Sequence, residues 1–197
     1  MNPIMILMCG MTASGKSTVS NKLSNELGIR RICTDDIRIK LPSEATQILH
    51  GNPLLRYVVY YQTLRLAEKI LATGESVIID GTYSKKDFRE GAYFIASKTG
   101  ASIYIIECYL NNYRIISQRF EKRKSNPIFK EWAQIESYHK KFLDFENLER
   151  EVLPDGRPVP IIRYNSENGK AEIIYSDGSE EIEMILQAIT APERVKV

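Results

Sequence analysis

A glycine-rich segment that contains one lysine and several hydroxyl side chains lies early in the chain, at LMCGMTASGKST (7–18). Its spacing, Gly10-x-x-x-x-Gly15-Lys16-Ser17, is that of a loop whose backbone N–H groups surround phosphate oxygens. A helix that begins at such a loop adds the positive end of its dipole beneath the same oxygens. The lysine would bridge the β- and γ-phosphates of a nucleoside triphosphate, and the serine hydroxyl would bind Mg²⁺.

The residues on either side of this loop have the patterns that the motif requires. The run 4–9 is continuously apolar, which is typical of a strand buried on both faces of a parallel sheet. After the loop, Val19, Leu23 and Leu27 recur at a spacing of four, and Gly28 follows as a helix stop. The sequence therefore predicts strand, loop and helix in that order.

Carboxylates follow two further strand-like runs. The run 29–34 leads into Asp35 and Asp36, and the run 76–79 ends at Asp80. Strand ends of a parallel sheet meet at its carboxyl edge, where ligands of open α/β sheets bind. We therefore expect Asp80 to bind Mg²⁺ together with Ser17.

The pair of adjacent aspartates predicts a second kind of chemistry. One of them would accept the proton of an attacking hydroxyl, while the other caps the short helix that follows. Arg38, one turn onward, would bind a phosphate or carboxylate of the acceptor. Neighbouring side chains leave a strand in different directions, and the first residue past the strand stays above the sheet edge. Asp35 is therefore the expected base, and Asp36 the expected cap.

A basic segment, QRFEKRK (118–124), ends a predicted helix. Arg119 and Arg123 are four residues apart and so lie on one face of that helix. A phosphoryl-transfer enzyme needs cations that close over the triphosphate, and we expect these two arginines to do so.

Strand-like and helical patterns alternate along the whole chain, which predicts a three-layer α/β/α fold with a mostly parallel sheet of about five strands. Asn168-Gly169 indicates a hairpin turn, and SKKD (84–87) has the pattern of a capping box at a helix start. We expect one domain over residues 1–197, with a core at about 1–165. A helical lid is expected at about 113–130, and a C-terminal hairpin and helix at 166–190.

The bulk composition is that of an ordinary globular protein, with 197 residues, 43% hydrophobic and 26% charged, and a net charge of +2. No apolar run is long enough to span a membrane. The three cysteines are far apart in strand-like runs, which indicates buried thiols in a reducing compartment. We therefore expect a cytoplasmic protein that has no membrane partner; the sequence does not indicate an oligomeric state.

With these motifs placed, the chain resembles the small P-loop kinases related to the phage polynucleotide kinase domain and to the zeta-toxin-like kinases. The resemblance covers about residues 1–147 and rests on the phosphate loop, TDDIR (34–38), VIIDGT (77–82) and RFEKR (119–123). It implies a P-loop NTPase fold and ATP- and Mg²⁺-dependent transfer of a phosphoryl group.

The same resemblance implies roles for individual residues. Asp35 would be the general base, Arg38 an anion-binding residue on the acceptor side and Arg119 a lid arginine. Asp80 would be the strand-end acid, and Arg89 corresponds to a further substrate-side arginine of such kinases. The residues expected to contact ATP are Gly10, Met11, Thr12, Ala13, Ser14, Gly15, Lys16, Ser17, Thr18, Arg119 and Arg123.

Two features depart from the family pattern. Many of these kinases read D-A-T-N after the third strand, where this chain has Asp80-Gly81-Thr82-Tyr83. The C-terminal hairpin has no counterpart in the pattern. The acceptor accordingly stays open between a polynucleotide 5′-hydroxyl, a nucleoside or nucleotide, and another small metabolite. The alternative function is a nucleotide-hydrolysing switch, although the base-reading N-K-x-D motif of GTPases is not found.

Overall fold

The computed structural model describes residues 2–42, 44, 53–125, 138, 142–148 and 151–192. The strands are β1 (Ile4–Cys9), β2 (Arg30–Cys33), β3 (Val77–Asp80), β4 (Ser102–Tyr109), β5 (Ile161–Asn165) and β6 (Ala171–Tyr175). The helices are α1 (Lys16–Leu27), α2 (Thr34–Ile39), α3 (Pro53–Leu71), α4 (Lys86–Thr99), α5 (Tyr113–Lys124) and α6 (Glu180–Thr190).

The strands form one sheet in the order β2-β3-β1-β4-β5-β6. The first five are parallel, and β6 pairs antiparallel with β5. The sheet has one strand more than expected, because the second strand of the predicted hairpin joins its edge. The turn between β5 and β6 spans residues 166–169, which include Asn168-Gly169, and Gly169 closes it with a left-handed φ of 72°.

The central strand shows why both faces of the sheet are covered. Alternate side chains of β1 enter two different cores: Met5, Leu7 and Cys9 pack in one and Ile4, Ile6 and Met8 in the other. Helices α3 and α4 cover the first core, and α1 and α6 cover the second. The three-layer α/β/α architecture is confirmed.

The order of strands brings the predicted site residues to one edge. β1 lies between β3 and β4, with Met8 opposite Asp80 and Cys9 opposite Glu107. The phosphate loop therefore begins at the middle of the sheet, at the same edge as the carboxyl ends of β2 and β3. The part of the predicted lid up to residue 125 is α5, and residues 126–130 lie outside the described residues.

Within the described residues, no helix combines the length and the apolarity that crossing a membrane requires. The three cysteines, Cys9, Cys33 and Cys108, are buried free thiols.

Candidate active site

The phosphate loop connects β1 to α1 through backbone conformations that its residues make possible. Gly10 and Gly15 have φ values of 135° and 94°, and Ala13 is also left-handed at 68°. A Cβ on Gly10 would lie 2.1 Å from the Cys108 carbonyl oxygen, so only glycine fits between the loop and β4. The loop is held on its other side by a hydrogen bond from the Gly10 N–H to the Thr82 carbonyl, at 3.2 Å.

Lys16 begins α1 and is almost fully buried, at 9% exposed. Its ammonium donates a hydrogen bond of 2.7 Å to the Met11 carbonyl, so the side chain bends back over the loop. Burial lowers the pKa of Lys16, and the nearby charges of Asp80 and Asp35 partly oppose this effect. The hydroxyl of Ser14 is buried and has no hydrogen-bond partner among the described residues, which leaves a donor for a phosphate oxygen.

Asp80 and Ser17 line the same cleft at the carboxyl edge of the sheet, as expected for a shared cation site. One carboxylate oxygen of Asp80 also accepts hydrogen bonds from Ser20 at 3.0 Å and from Arg31 at 2.5 Å. The sequence does not predict this contact, because Arg31 lies within β2 and comes close to Asp80 only through the pairing of β2 with β3. Asp80 thus forms an ion pair with Arg31 and is at the same time a candidate Mg²⁺ ligand.

Asp35 and Asp36 point in different directions at the start of α2. Asp35 lines the cleft, whereas Asp36 is exposed and outside it. The two oxygens of Asp35 accept from two arginines: Arg38 at 3.0 Å and Arg123 at 2.8 Å. Of the two adjacent aspartates, only Asp35 therefore faces the cleft, and its role as the base stays a prediction.

Arg119 and Arg123, the two arginines of the predicted lid, have different partners. Arg119 donates to the Ala13 carbonyl at 2.8 Å and to the Ser166 hydroxyl at 3.0 Å, so it lies against the phosphate loop. Arg123, for which we predict a contact with the nucleotide, lines the cleft and forms an ion pair with Asp35. Helix α5 thus contacts both the phosphate loop and α2.

Arg89 does not lie where a substrate-side arginine would. Arg89 belongs to α4 and its side chain is fully buried, where it donates to Glu151 at 2.6 Å and to the Tyr83 carbonyl at 3.0 Å. Burial disfavours its charge, but the hydrogen bond that it donates to Glu151 and the negative charge of that carboxylate help to raise the pKa of Arg89. The structure therefore does not support the expected substrate contact. Arg89 instead stabilises the turn after β3 through its hydrogen bond to the Tyr83 carbonyl.

The Asp80-Gly81-Thr82-Tyr83 sequence, which departs from the family pattern, has a local physical reason. Tyr83 is fully buried with a left-handed φ of 43°, and its ring stacks on Tyr60 at 4.6 Å between centroids. A Cβ on Gly81 would lie 2.7 Å from the Tyr83 ring and 2.9 Å from the Thr34 side chain. The tyrosine occupies the space that an alanine at position 81 would need.

The cleft also contains residues that the sequence reading did not place there. Arg56 and Tyr60, one turn apart on α3, line it together with Ser84. Tyr60 is also fixed by packing, since its ring stacks on that of Tyr83 and its hydroxyl accepts from the Tyr83 N–H at 3.3 Å. The lining of the cleft is Thr12, Lys16, Ser17, Cys33, Thr34, Asp35, Arg38, Arg56, Tyr60, Asp80, Gly81, Thr82, Ser84 and Arg123.

Comparison with known proteins places this geometry in a family. A family model described as an AAA domain matches residues 5–143, which include the phosphate loop, both strand-end carboxylate sites and helix α5. The chain belongs to this AAA domain family. The AAA domain is also 30% identical over 112 residues to an uncharacterised protein of Mycobacterium tuberculosis strain H37Rv. The match covers 52% of this chain, and the chain spans about a fifth of that relative's length, 22%.

Solved structures show the same fold at low sequence identity. Kti12 of Chaetomium thermophilum in complex with ADP-AlF3 has a TM-score of 0.64 at 15% identity. The alignment covers 95% of this chain and 100% of the Kti12 chain. The APS kinase CysC of Mycobacterium tuberculosis in complex with AMPPNP and APS has a TM-score of 0.56 at 15% identity. This alignment covers 96% of this chain and 99% of the CysC chain. The fold is therefore that of nucleotide-binding P-loop kinases.

Proposed function

We propose that this protein is an ATP- and Mg²⁺-dependent phosphotransferase that moves the γ-phosphate of ATP to a hydroxyl acceptor. The observation that carries the proposal is the position of Asp35: a carboxylate on a second strand end lines the same cleft as Lys16 and Ser17. A protein that only hydrolyses its nucleotide has no need of an acceptor base in that place. The similarity to P-loop kinases supports the same reaction class.

Each residue of the candidate site has a separate role in the proposed phosphoryl transfer. The loop N–H groups and Lys16 bind the phosphates, and Arg119 stabilises charge that develops on the transferred group. Asp35 orients the acceptor hydroxyl and takes its proton as the bond to phosphorus forms. Arg38 holds the acceptor, and it also keeps Asp35 in place through their ion pair.

The donor set fits Mg²⁺, because the Ser17 hydroxyl and the Asp80 carboxylate supply hard oxygen ligands in one cleft. When bound, the cation would neutralise charge on the β- and γ-phosphates. The pair of Asp80 with Arg31 leaves one carboxylate oxygen of Asp80 without a described hydrogen bond, available for this purpose.

The test compares two neighbouring variants, Asp35→Asn and Asp36→Asn, in a screen of acceptors with γ-labelled ATP. The screen includes 5′-hydroxyl oligonucleotides, nucleosides, nucleotides and small hydroxyl metabolites. We expect Asp35→Asn to bind Mg²⁺·ATP normally and to lose about 10²–10⁴-fold in transfer rate, the usual cost of removing a positioned base. Asp36→Asn, the matched control, is expected to retain transfer.

Two results would contradict the proposal. Loss of transfer in Asp36→Asn with normal activity in Asp35→Asn would reverse the assignment of the base. Release of phosphate at the same rate with and without every acceptor would favour a nucleotide-hydrolysing switch.

A further inference from the structure

The cleft has an uneven distribution of charge. Four cationic side chains line it, Lys16, Arg38, Arg56 and Arg123, against two carboxylates, Asp35 and Asp80. The carboxylate of Asp80 is already paired with Arg31, which does not line the cleft.

Arg56 differs from the other cations of the cleft in its partners. Lys16 belongs to the phosphate loop, where the triphosphate uses its charge. The other three cations are arginines that line the cleft together with Asp35, and Arg38 and Arg123 each form an ion pair with it. Arg56 adds a further positive charge, and within the described residues it forms no ion pair.

Arg56 is held close to the buried wall of the cleft. It lies one turn before Tyr60 on α3, so both side chains project from the same face of that helix. Tyr60 is 6% exposed and fixed by its stacking on Tyr83. Burial raises the pKa of Tyr60, and the charges of Arg56 and Arg38 partly offset this, which indicates that both guanidinium groups lie near the phenol.

A half-buried guanidinium next to a tyrosine is costly unless a partner satisfies its donors. Phosphate and carboxylate groups suit it best, because they accept two parallel hydrogen bonds from its planar fork. A neutral sugar or nucleoside would leave the Arg56 guanidinium without an anionic partner among the described residues. A long nucleic acid would require a basic surface beyond the cleft, whereas the chain as a whole has 27 basic against 25 acidic residues.

We propose that the acceptor is a small hydroxyl compound that carries a phosphate or carboxylate group, and that Arg56 binds this anionic group beside Tyr60 while Asp35 contacts the hydroxyl. This inference rests on the proposed phosphotransferase function for the identity of the acceptor. The anion site itself does not depend on catalysis.

The first experiment measures the anion site directly. Inorganic phosphate is titrated by calorimetry into protein saturated with Mg²⁺ and a non-hydrolysable ATP analogue, so that the β- and γ-phosphate positions at the phosphate loop are already occupied. We expect Arg56→Gln to weaken phosphate binding at least 10-fold. Arg65→Gln is the matched control, because Arg65 lies on the same helix with a side chain that is 53% exposed, and it should change binding less than twofold. Equal phosphate binding in the wild-type and Arg56→Gln proteins would overturn the inference.

The second experiment measures transfer from ATP to matched acceptors: glycerol and glycerate, glucose and glucose 6-phosphate, adenosine and adenosine 3′-monophosphate, and a 5′-hydroxyl oligonucleotide. Higher kcat/KM for the anionic member of a pair, lost in Arg56→Gln, supports the inference. Equal or better transfer to the neutral members, or transfer to the oligonucleotide alone, overturns the small anionic acceptor but leaves the phosphotransferase intact. Arg56-dependent phosphate binding without transfer to any compound overturns the phosphotransferase and leaves the anion site standing.

Discussion

The substitution Glu151→Gln tests whether the buried pair behind the cleft stabilises the fold. Glu151 is 4% exposed, and its two oxygens accept from two buried donors, Arg89 at 2.6 Å and the Tyr93 hydroxyl at 2.6 Å. Glutamine has nearly the same shape but no charge, and it offers one acceptor and one donor where glutamate offers two acceptors. The guanidinium of Arg89 would then remain buried without a counterion, and one of the two donors would lose its acceptor.

The magnitude follows from this loss of charge. Breaking a buried ion pair by removing one partner costs about 3–5 kcal/mol, because an uncompensated charge remains in the interior. A typical domain is stable by about 5–15 kcal/mol, so the expected loss is a large share of the total. Tyr93→Phe removes one hydrogen bond and keeps the ion pair, and we expect it to lose about 1 kcal/mol.

Equilibrium unfolding in urea, followed by circular dichroism, measures both differences in the free energy of unfolding. Asp155→Asn is the control, because the Asp155–Arg157 pair is exposed and its loss should leave the urea midpoint unchanged. The reasoning is refuted if Glu151→Gln loses less than about 1 kcal/mol, or no more than Tyr93→Phe, since the charge on Glu151 would then contribute little.

Two further predictions concern the nucleotide side of the cleft. Arg119→Ala should lower kcat by about 100-fold with a smaller change in the KM for ATP, because its guanidinium acts on developing charge; the exposed Lys122→Ala is the control, and an unchanged kcat in Arg119→Ala would contradict the lid role. Burial lowers the pKa of Lys16 below 10.5, and the negative charge of a bound triphosphate would raise that pKa again. Binding of Mg²⁺·ATP should therefore be accompanied by uptake of a proton. The affinity for Mg²⁺·ATP should weaken as the pH rises through the lowered pKa of the free protein. Calorimetry in two buffers of different ionisation enthalpy, repeated over a series of pH values below 10.5, measures this uptake, and binding without proton uptake at every pH of the series would contradict it.

The sequence predicted best the features that depend on neighbouring residues. The phosphate loop between β1 and α1 follows from apolar spacing and glycine conformation, and the hairpin follows from Asn168-Gly169. The placement of Asp35 inside the cleft and Asp36 outside it follows from the geometry of a strand that runs into a helix. Each of these requires only a few consecutive residues.

The failures all involve partners that are distant in the sequence. The predicted capping box at 84–87 is wrong: the Lys86 N–H at the start of α4 is capped by the side chain of Glu146, 60 residues later. The resemblance to the small P-loop kinases implies a substrate-side role for Arg89, but Glu151 fixes it in the interior. The pair of Arg31 with Asp80 depends on which strands are adjacent, a property that no local pattern encodes.

The central position of β1 has a consequence for synthesis of the chain. Met5 pairs with Val77 and Cys9 pairs with Glu107, so β1 is synthesised before its two neighbours, which follow about 70 and about 100 residues later. At about 5–20 residues per second, β1 spends about 5–20 s with its backbone groups and six apolar side chains unpaired. The same nascent segment carries the phosphate loop, so the nucleotide site cannot assemble until β4 has been made. During this interval β1 is a strong candidate for binding by a chaperone that recognises short apolar segments.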